Sequence, residues 1–325
     1  MTPTKTKITP QQELDVTPIR EIAQEVLSEV SRVIVGCGEI LQQLFVSLLV
    51  NGHVLLEGVP GLGKTVMAKT FANTLGVSFK RVQFTPDLLP ADITGTKIFS
   101  QEEGTFVLMK GPIFANIVLA DEINRSAPKT QAALLEAMAE RQVTIEGQTL
   151  ELEKPFMVIA TENPVEMEGT YPLPEAQVDR FLFKLWLDYP DQDEEVEIMR
   201  RQLSGDLPTI HRITSGPELL AAQNLVNQVY IDERILKYIR DIVLKTRNHP
   251  QIGLGCGPRA SLVLMKCSKA RASILGRSYV TPDDVRALTV PALNHRILLK
   301  PEAELEGLDV RAVIKHIMEE IPVPI

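Results

Sequence analysis

The octapeptide Gly58-Val59-Pro60-Gly61-Leu62-Gly63-Lys64-Thr65 constrains this chain more than any other feature, because it fits the pattern G-x-x-x-x-G-K-[ST] in the setting that pattern needs. An apolar run, His53-Val54-Leu55-Leu56, precedes it and reads as a buried strand. A helical stripe at Val66, Met67, Ala68, Phe71 and Leu75 follows. Strand, glycine-rich turn and helix in that order point backbone N–H groups and a helix N-terminus at one concave spot, which is an anion site. The glycines let the backbone curl towards phosphates with no Cβ in the way. In such a loop Lys64 reaches the β- and γ-phosphates of a nucleotide, and the Thr65 hydroxyl is a ligand for Mg²⁺.

The rest of the chain fits an α/β fold. Thr17 as N-cap and Pro18 as first helical residue begin a helix with apolar residues at Ile19, Ile22, Ala23, Val26, Leu27, Val30 and Val33. Val35-Gly36-Cys37-Gly38 breaks it, and a second amphipathic helix carries Ile40, Leu41, Leu44, Phe45, Leu48 and Leu49. Ser78 to Phe84, Ile117 to Ala120, Phe156 to Ala160 and Phe183 to Leu187 read as further strands, with a helix from about Pro128 to Glu140 between two of them. Strands alternating with helices predict a three-layer αβα domain with a parallel sheet, whose ligands bind at the carboxyl ends of the strands. Two segments interrupt the pattern. One spans about 87–109. The other, about 142–152, alternates as a hairpin around Glu146-Gly147. From about Ser204 helical periodicity dominates, Thr281-Pro282-Asp283-Asp284 is a strong helix start, and Val310 to Ile321 reads as a closing helix. The expected organisation is a disordered leader (1–16), an αβα core (17–203) and a small all-helical lid (204–325).

Composition narrows the class. The chain has 325 residues, and no run of about 18 uncharged apolar residues that would span a membrane. Its three cysteines are too scattered for a disulfide framework or a zinc site, which suits a reducing, cytoplasmic setting. A net charge of −8 with no basic block argues against a nucleic-acid partner.

A second motif separates hydrolysis from phosphoryl transfer. Ile117-Val118-Leu119-Ala120-Asp121-Glu122 is a buried strand ending in two acids. Asp121 is suited to hold Mg²⁺, largely through its waters, and Glu122 to polarise an attacking water as a base.

With Asp121-Glu122-Ile123-Asn124-Arg125, Ala160-Thr161-Glu162-Asn163-Pro164 and the run Gly169-Thr170-Tyr171-Pro172-Leu173-Pro174-Glu175-Ala176-Gln177-Val178-Asp179-Arg180-Phe181 added to the phosphate loop, the chain resembles the MoxR group of AAA+ ATPases from about Ile34 to about Leu299. The resemblance implies further roles. Asn163 matches the sensor-1 residue that orients the γ-phosphate or the lytic water. Arg180 matches the arginine finger offered to the nucleotide of the next subunit. Arg259 matches the sensor-2 arginine, acting on its own or a neighbour's nucleotide. Val35 and Gly36 match the segment near the adenine, and Val66 follows the phosphate loop into its helix. Arg125 fits the pattern either as an interface contact or as an ordinary helix-start arginine. The segments 87–109 and 142–152 match the helix-2 insert and the pre-sensor-1 hairpin, which face the pore or the substrate in that branch. Cys37 and Glu162 depart from the family, which often has Gln at both places. The implied protein is a homo-oligomeric, hexameric ring that hydrolyses ATP with Mg²⁺. In it the helical domain closes over the nucleotide, and a von Willebrand factor A domain protein is a partner. The implied task is maturation, or metal or cofactor insertion, in client complexes. The alternatives are a ring-shaped nucleic-acid motor of the same branch and an ATP-binding scaffold that scarcely turns over.

Overall fold

The structure, a computed structural model, describes residues 14–164, 169–203 and 208–324. Of the expected leader, residues 1–13 lie outside these, as do the first residues of the expected lid, 204–207. Helices α1 (Thr17–Ser31) and α2 (Gly38–Leu49) lead into β1 (Val54–Glu57), the phosphate loop and α3 (Lys64–Leu75). The start of α1 differs from expectation by one residue. Thr17 is already helical, and the Asp15 carboxylate accepts its N–H at 2.9 Å, a sharper acceptor than a hydroxyl for that orphan donor. β2 (Phe79–Gln83), α4 (Pro90–Thr94) and the antiparallel pair β3 (Gly95–Ser100) and β4 (Thr105–Lys110) follow. Next come β5 (Ile117–Asp121), α5 (Pro128–Glu140), the hairpin β6 (Gln142–Ile145) and β7 (Gln148–Glu151), and β8 (Met157–Glu162). α6 (Glu175–Val178), β9 (Phe183–Trp186) and α7 (Gln192–Leu203) close this part.

The central sheet is parallel throughout, in the order β2-β5-β8-β1-β9. Its inner strands β5, β8 and β1 are apolar because both faces are covered, whereas the edge strand β2 buries only Val82. The two-residue period sorts their side chains. Leu55, Val118, Ala120, Val158 and Ala160 face a core closed by Leu134, Leu135 and Met138 of α5. Val54, Leu56, Ile117, Leu119, Met157 and Ile159 face Phe45 of α2 and Phe71 of α3. A fully buried Phe or Leu contributes roughly 1.5–3 kcal/mol, so these faces hold the three layers together.

The C-terminal part is helical, with α8 (Gly216–Gln228), α9 (Glu233–Asn248), α10 (Pro258–Ile274), α11 (Pro282–Leu293), α12 (Pro301–Leu305) and α13 (Val310–Glu320). One small feature escaped the sequence: β10 (Ile252–Leu254) pairs antiparallel with β11 (Leu298–Leu299). The predicted start at Thr281 is a capping box, with Asp284 accepting from both the N–H and the hydroxyl of Thr281 at 2.9 Å.

The helical part packs laterally onto α1, α2 and β9, and its apolar residues are continuous with those of the sheet face beneath α2. Gln223 donates to the Leu48 carbonyl at 2.7 Å, Arg271 to Gln42 at 3.0 Å and Asn294 to the Lys184 carbonyl at 2.9 Å across this junction. No helix among the described residues is long and apolar enough to cross a membrane.

Candidate active site

The phosphate loop leaves the carboxyl end of β1 and turns into α3 through Gly61 (φ +88°) and Gly63 (φ +74°), conformations costly for a residue with a Cβ. Gly58 is needed for a different reason: a Cβ there would meet the Leu187 carbonyl oxygen at 2.8 Å. Lys64, 9% exposed, donates from Nζ to the Gly58 carbonyl at 2.5 Å, so the ammonium lies folded along the loop's own concavity. Burial pushes the Lys64 ammonium below its ordinary value, while Asp121, Glu122 and Glu57 pull the other way.

The acids sit where the sheet register brings three strand ends level. The Thr65 hydroxyl is 3.3 Å from Asp121 Oδ2, and the Thr161 hydroxyl donates to Asp121 Oδ1 at 2.7 Å while accepting the Glu122 N–H at 2.8 Å. Glu122 itself has φ +58°, a left-handed backbone for a side chain of this size, which turns it out of the strand direction. Its Oε2 accepts from Gln83 Nε2 at 2.6 Å and from Arg125 Nη1 at 3.0 Å. Asn163, 5% exposed, follows β8 at the same edge. Thr65 and Asp121 form a hard oxygen donor set beside the anion cradle, which fits Mg²⁺.

Next to the loop opens a recess of about 630 Å³. Val35, Gly36, Cys37, Gly61, Leu62, Gly63 and Val66 line it on one side, and Trp186, Tyr189, Glu194 and Ile198 on the other. Its size and mixed lining suit a base and a ribose. Cys37 is partly buried, and burial and then Glu194 raise its thiol above the usual value. The other departure, Glu162, lies on the far side of the loop. Burial pushes its carboxyl up, Lys184 opposes this and Glu57 adds to it, while Lys184 and Glu57 pair at 2.5 Å.

Arg180 and Arg259 are placed elsewhere. Both line a second recess, of about 320 Å³, to which the phosphate loop contributes nothing. Arg180 donates to the Leu135 carbonyl at 2.7 Å and Arg259 lies 3.5 Å from the Asp179 carboxylate. The residues around the 630 Å³ recess all lie between 33 and 202. In this conformation the helical part therefore contributes no side chain to the recess beside the phosphate loop. It is held to the side by its junction with α1 and α2.

Four residues that sequence reasoning missed support these two places. Arg81 donates to Asp121 Oδ2 from Nε (3.0 Å) and Nη2 (2.8 Å), and Gln83 holds Glu122. Gln131 donates to the carbonyls of Ile123, Ser126 and Tyr171, tying the turn after Glu122 to the segment that leads to Arg180. Arg296, its side chain 4% exposed, bonds the Asp179 carboxylate at 2.7 Å and the carbonyls of Asp179, Phe181 and Leu182, so the helical part grips the strand entrance that carries Arg180.

Comparison with known proteins places this geometry. The profile of the ATPase family associated with various cellular activities (AAA) matches residues 53–183, and that of the AAA lid domain matches 244–317. An uncharacterised protein of Bacillus subtilis, YeaC, is 48% identical over 300 residues, covering 92% of this chain and 94% of its own. Chaperone MoxR1 of Mycobacterium tuberculosis is 42% identical over 310 residues, covering 93% and 82%. Protein MoxR of Paracoccus denitrificans is 32% identical over 324 residues, covering 90% and 93%. A crystal structure of a candidate ATPase from Cytophaga hutchinsonii superposes with a TM-score of 0.90 at 44% identity, covering 95% of this chain and 97% of that one. The two family profiles and these relatives, matched over most of their length, agree, and the chain belongs to the MoxR family of AAA+ ATPases, ATP-hydrolysing P-loop enzymes.

Proposed function

We propose that this chain works as a homo-oligomeric, hexameric ring that hydrolyses ATP between adjacent copies and uses the cycle to remodel or mature partner protein complexes. One observation carries the reading. Arg180 and Arg259 share a recess, the phosphate loop lines another, and each recess holds only part of a hydrolytic site. A neighbouring copy that brings its cationic recess to this chain's phosphate loop completes both.

Within a copy, the loop N–H groups and Lys64 bind the β- and γ-phosphates. Val35 and Gly36 border the base. Thr65 and Asp121 would hold Mg²⁺, which would supply positive charge against the phosphates when bound. Glu122 orients the attacking water and takes its proton, and Asn163 fixes that water or the γ-phosphate. Arg180 and Arg259, from the next copy, stabilise charge on the departing phosphoryl group, a contribution that for an arginine finger reaches roughly 10³–10⁵ in rate. Arg259 thus acts on a neighbour's nucleotide.

A relative described as a chaperone supports protein remodelling as the task. Metal or cofactor insertion into a client, with a von Willebrand factor A domain protein as partner, follows from the family resemblance, and a cytoplasmic site fits three free cysteines. The nucleic-acid alternative is the weaker one. Of the basic residues in and beside the two inserts, Arg141 donates to the Asn51 carbonyl, Lys154 lies 3.9 Å from Glu151 and Lys110 lies over the Phe114 ring.

The test is Glu122→Gln loaded with ATP and used for affinity capture in the native host. That variant should bind nucleotide, stall as a ring and retain a von Willebrand factor A protein with its client. Recovery of nuclease-sensitive replication or repair proteins, with ATPase activity raised by DNA and weakened by salt, would overturn the reading in favour of the motor.

A further inference from the structure

Five cations border the 320 Å³ recess: Arg141, Arg180, Arg259, Lys266 and Arg296. Among the described residues, Asp179 is the carboxylate paired with any of them, and it pairs with Arg259 and Arg296. Four of the five are engaged by the chain itself. Arg141 donates to the Asn51 carbonyl and Arg180 to the Leu135 carbonyl; Arg259 faces Asp179; Arg296 is tied to the Asp179 carboxylate and four backbone carbonyls. Lys266 differs: its ammonium has no hydrogen bond or ion pair among the described residues.

Its position on α10 is equally specific. Arg259, Leu262, Val263 and Lys266 all line the recess, a spacing of i, i+3, i+4 and i+7 that puts them on one face of the helix. Arg259 and Lys266 stand about 10.5 Å apart along the axis, with apolar Val263 between them, and Phe181 and Leu182 also line the recess. Like charges gathered in one recess repel one another, and the arrangement becomes more favourable when an anion enters. Guanidinium forks beside a compact ammonium are the donor set used for phosphoryl groups.

We infer that Lys266 is a further catalytic residue of the site between copies, its ammonium bonding the terminal phosphate of the ATP held by the adjacent chain. This rests on the ring reading above. When water adds to the γ-phosphorus and the bond to the bridging oxygen breaks, ADP leaves with that electron pair, the water's proton passes to Glu122, and negative charge spreads over the terminal oxygens. Lys266 meets that charge as a hydrogen-bond donor and keeps its own proton.

The experiment compares full-length wild type, Lys266→Ala, Lys266→Arg and Arg180→Ala in steady-state ATP hydrolysis. Nucleotide affinity and assembly size are measured alongside. Lys266→Ala should lower kcat about tenfold or more, the scale for loss of one charge-stabilising donor that is partly open to solvent. KM and assembly size should change less than about twofold, and Lys266→Arg should recover most of the rate. A large loss in Arg180→Ala with kcat within twofold in Lys266→Ala would overturn the role of Lys266 and leave the ring reading standing. No loss in either variant would overturn both. A loss in Lys266→Ala that comes with a smaller assembly and is not rescued by arginine would mark a structural residue and also overturn the inference.

Discussion

Removing Arg81 should make the enzyme bind Mg²⁺ more tightly. Arg81 sits on the edge strand β2 and places two N–H donors on Asp121 Oδ2, the oxygen nearest the Thr65 hydroxyl. That is the pair expected to face the cation, so guanidinium and Mg²⁺ compete for one carboxylate oxygen. Hydrogen bonds to a charged group are worth roughly 1.5–3 kcal/mol. The Arg81 side chain is 47% exposed against 10% for Asp121, so solvent screens one partner and reduces the net value to about 1 kcal/mol. At 1.4 kcal/mol per decade this is about a fivefold fall in the Mg²⁺ concentration for half-maximal nucleotide binding in Arg81→Ala. The assay is a Mg²⁺ titration at fixed ATP in a Glu122→Gln background, where hydrolysis does not intervene. The single tryptophan, Trp186, lines the recess beside the phosphate loop and supplies the fluorescence signal. A half-point that is unchanged, or that moves to higher Mg²⁺, would refute the competition and mark Arg81 as a phosphate ligand or a structural residue.

Further predictions concern the thiols, the buried charges and pH. Cys37 lines the recess, whereas Cys256 and Cys267 are buried, with burial pushing the Cys256 thiol up to about 11 and that of Cys267 higher still. A maleimide should therefore modify Cys37 first in the native protein, and saturating ATP should slow that reaction; equal rates with and without nucleotide would remove the base from this recess. Asp284, 1% exposed, takes a two-pronged bond from Arg277 (2.7 and 2.8 Å) and caps α11, so Asp284→Ala should cost about 3 kcal/mol in urea unfolding. A loss under about 1 kcal/mol would show the cluster to be dispensable. His53 accepts the Val158 N–H and bonds the Met138 carbonyl, and burial drives its pKa down to about 3; burial lowers His295 well below its ordinary value too. Both rings are neutral when folded but bind protons when unfolded below about pH 6.5, so stability is complete above that pH and declines as pH falls towards 3. From pH 6.5 to 5.5 the two together should remove about 2 kcal/mol, and stability that is flat or rising over that interval would contradict the assignment.

How much of this could be read from the sequence depends on how local each signal is. The phosphate loop, the paired acids and the strands of the sheet centre announce themselves because a parallel strand covered on both faces is a continuous apolar run, as at Ile117–Ala120 and Met157–Ala160. The far wall of the recess beside the phosphate loop does not. Ile198 and Tyr189 are exposed residues on α7 and the turn before it, and nothing in their spacing distinguishes them from an ordinary surface. Arg81 and Gln83 stand on a strand with only one buried position, so their approach to Asp121 and Glu122 follows from the pairing of β2 with β5. Arg296 reaches residues more than a hundred positions away. The sideways placement of the helical part was equally hidden, because it depends on apolar stripes of α1 and α2 that would serve as well for other partners.

That placement also bears on how such chains can be cut and recombined. The core beneath α1 and α2 is built from the first helices of the chain and from α8 and α10, which come after the whole sheet. A fragment ending at residue 203 would strip those helices of their cover. Val26, Val30, Leu41 and Leu48 lie in this shared core, and an opened core of that kind is an aggregation surface. The segments matched at 53–183 and 244–317 are therefore not interchangeable cassettes. A chimera that takes its helical part from a relative should take that relative's counterparts of α1 and α2 as well, because in this chain those helices and α8 and α10 close a single core.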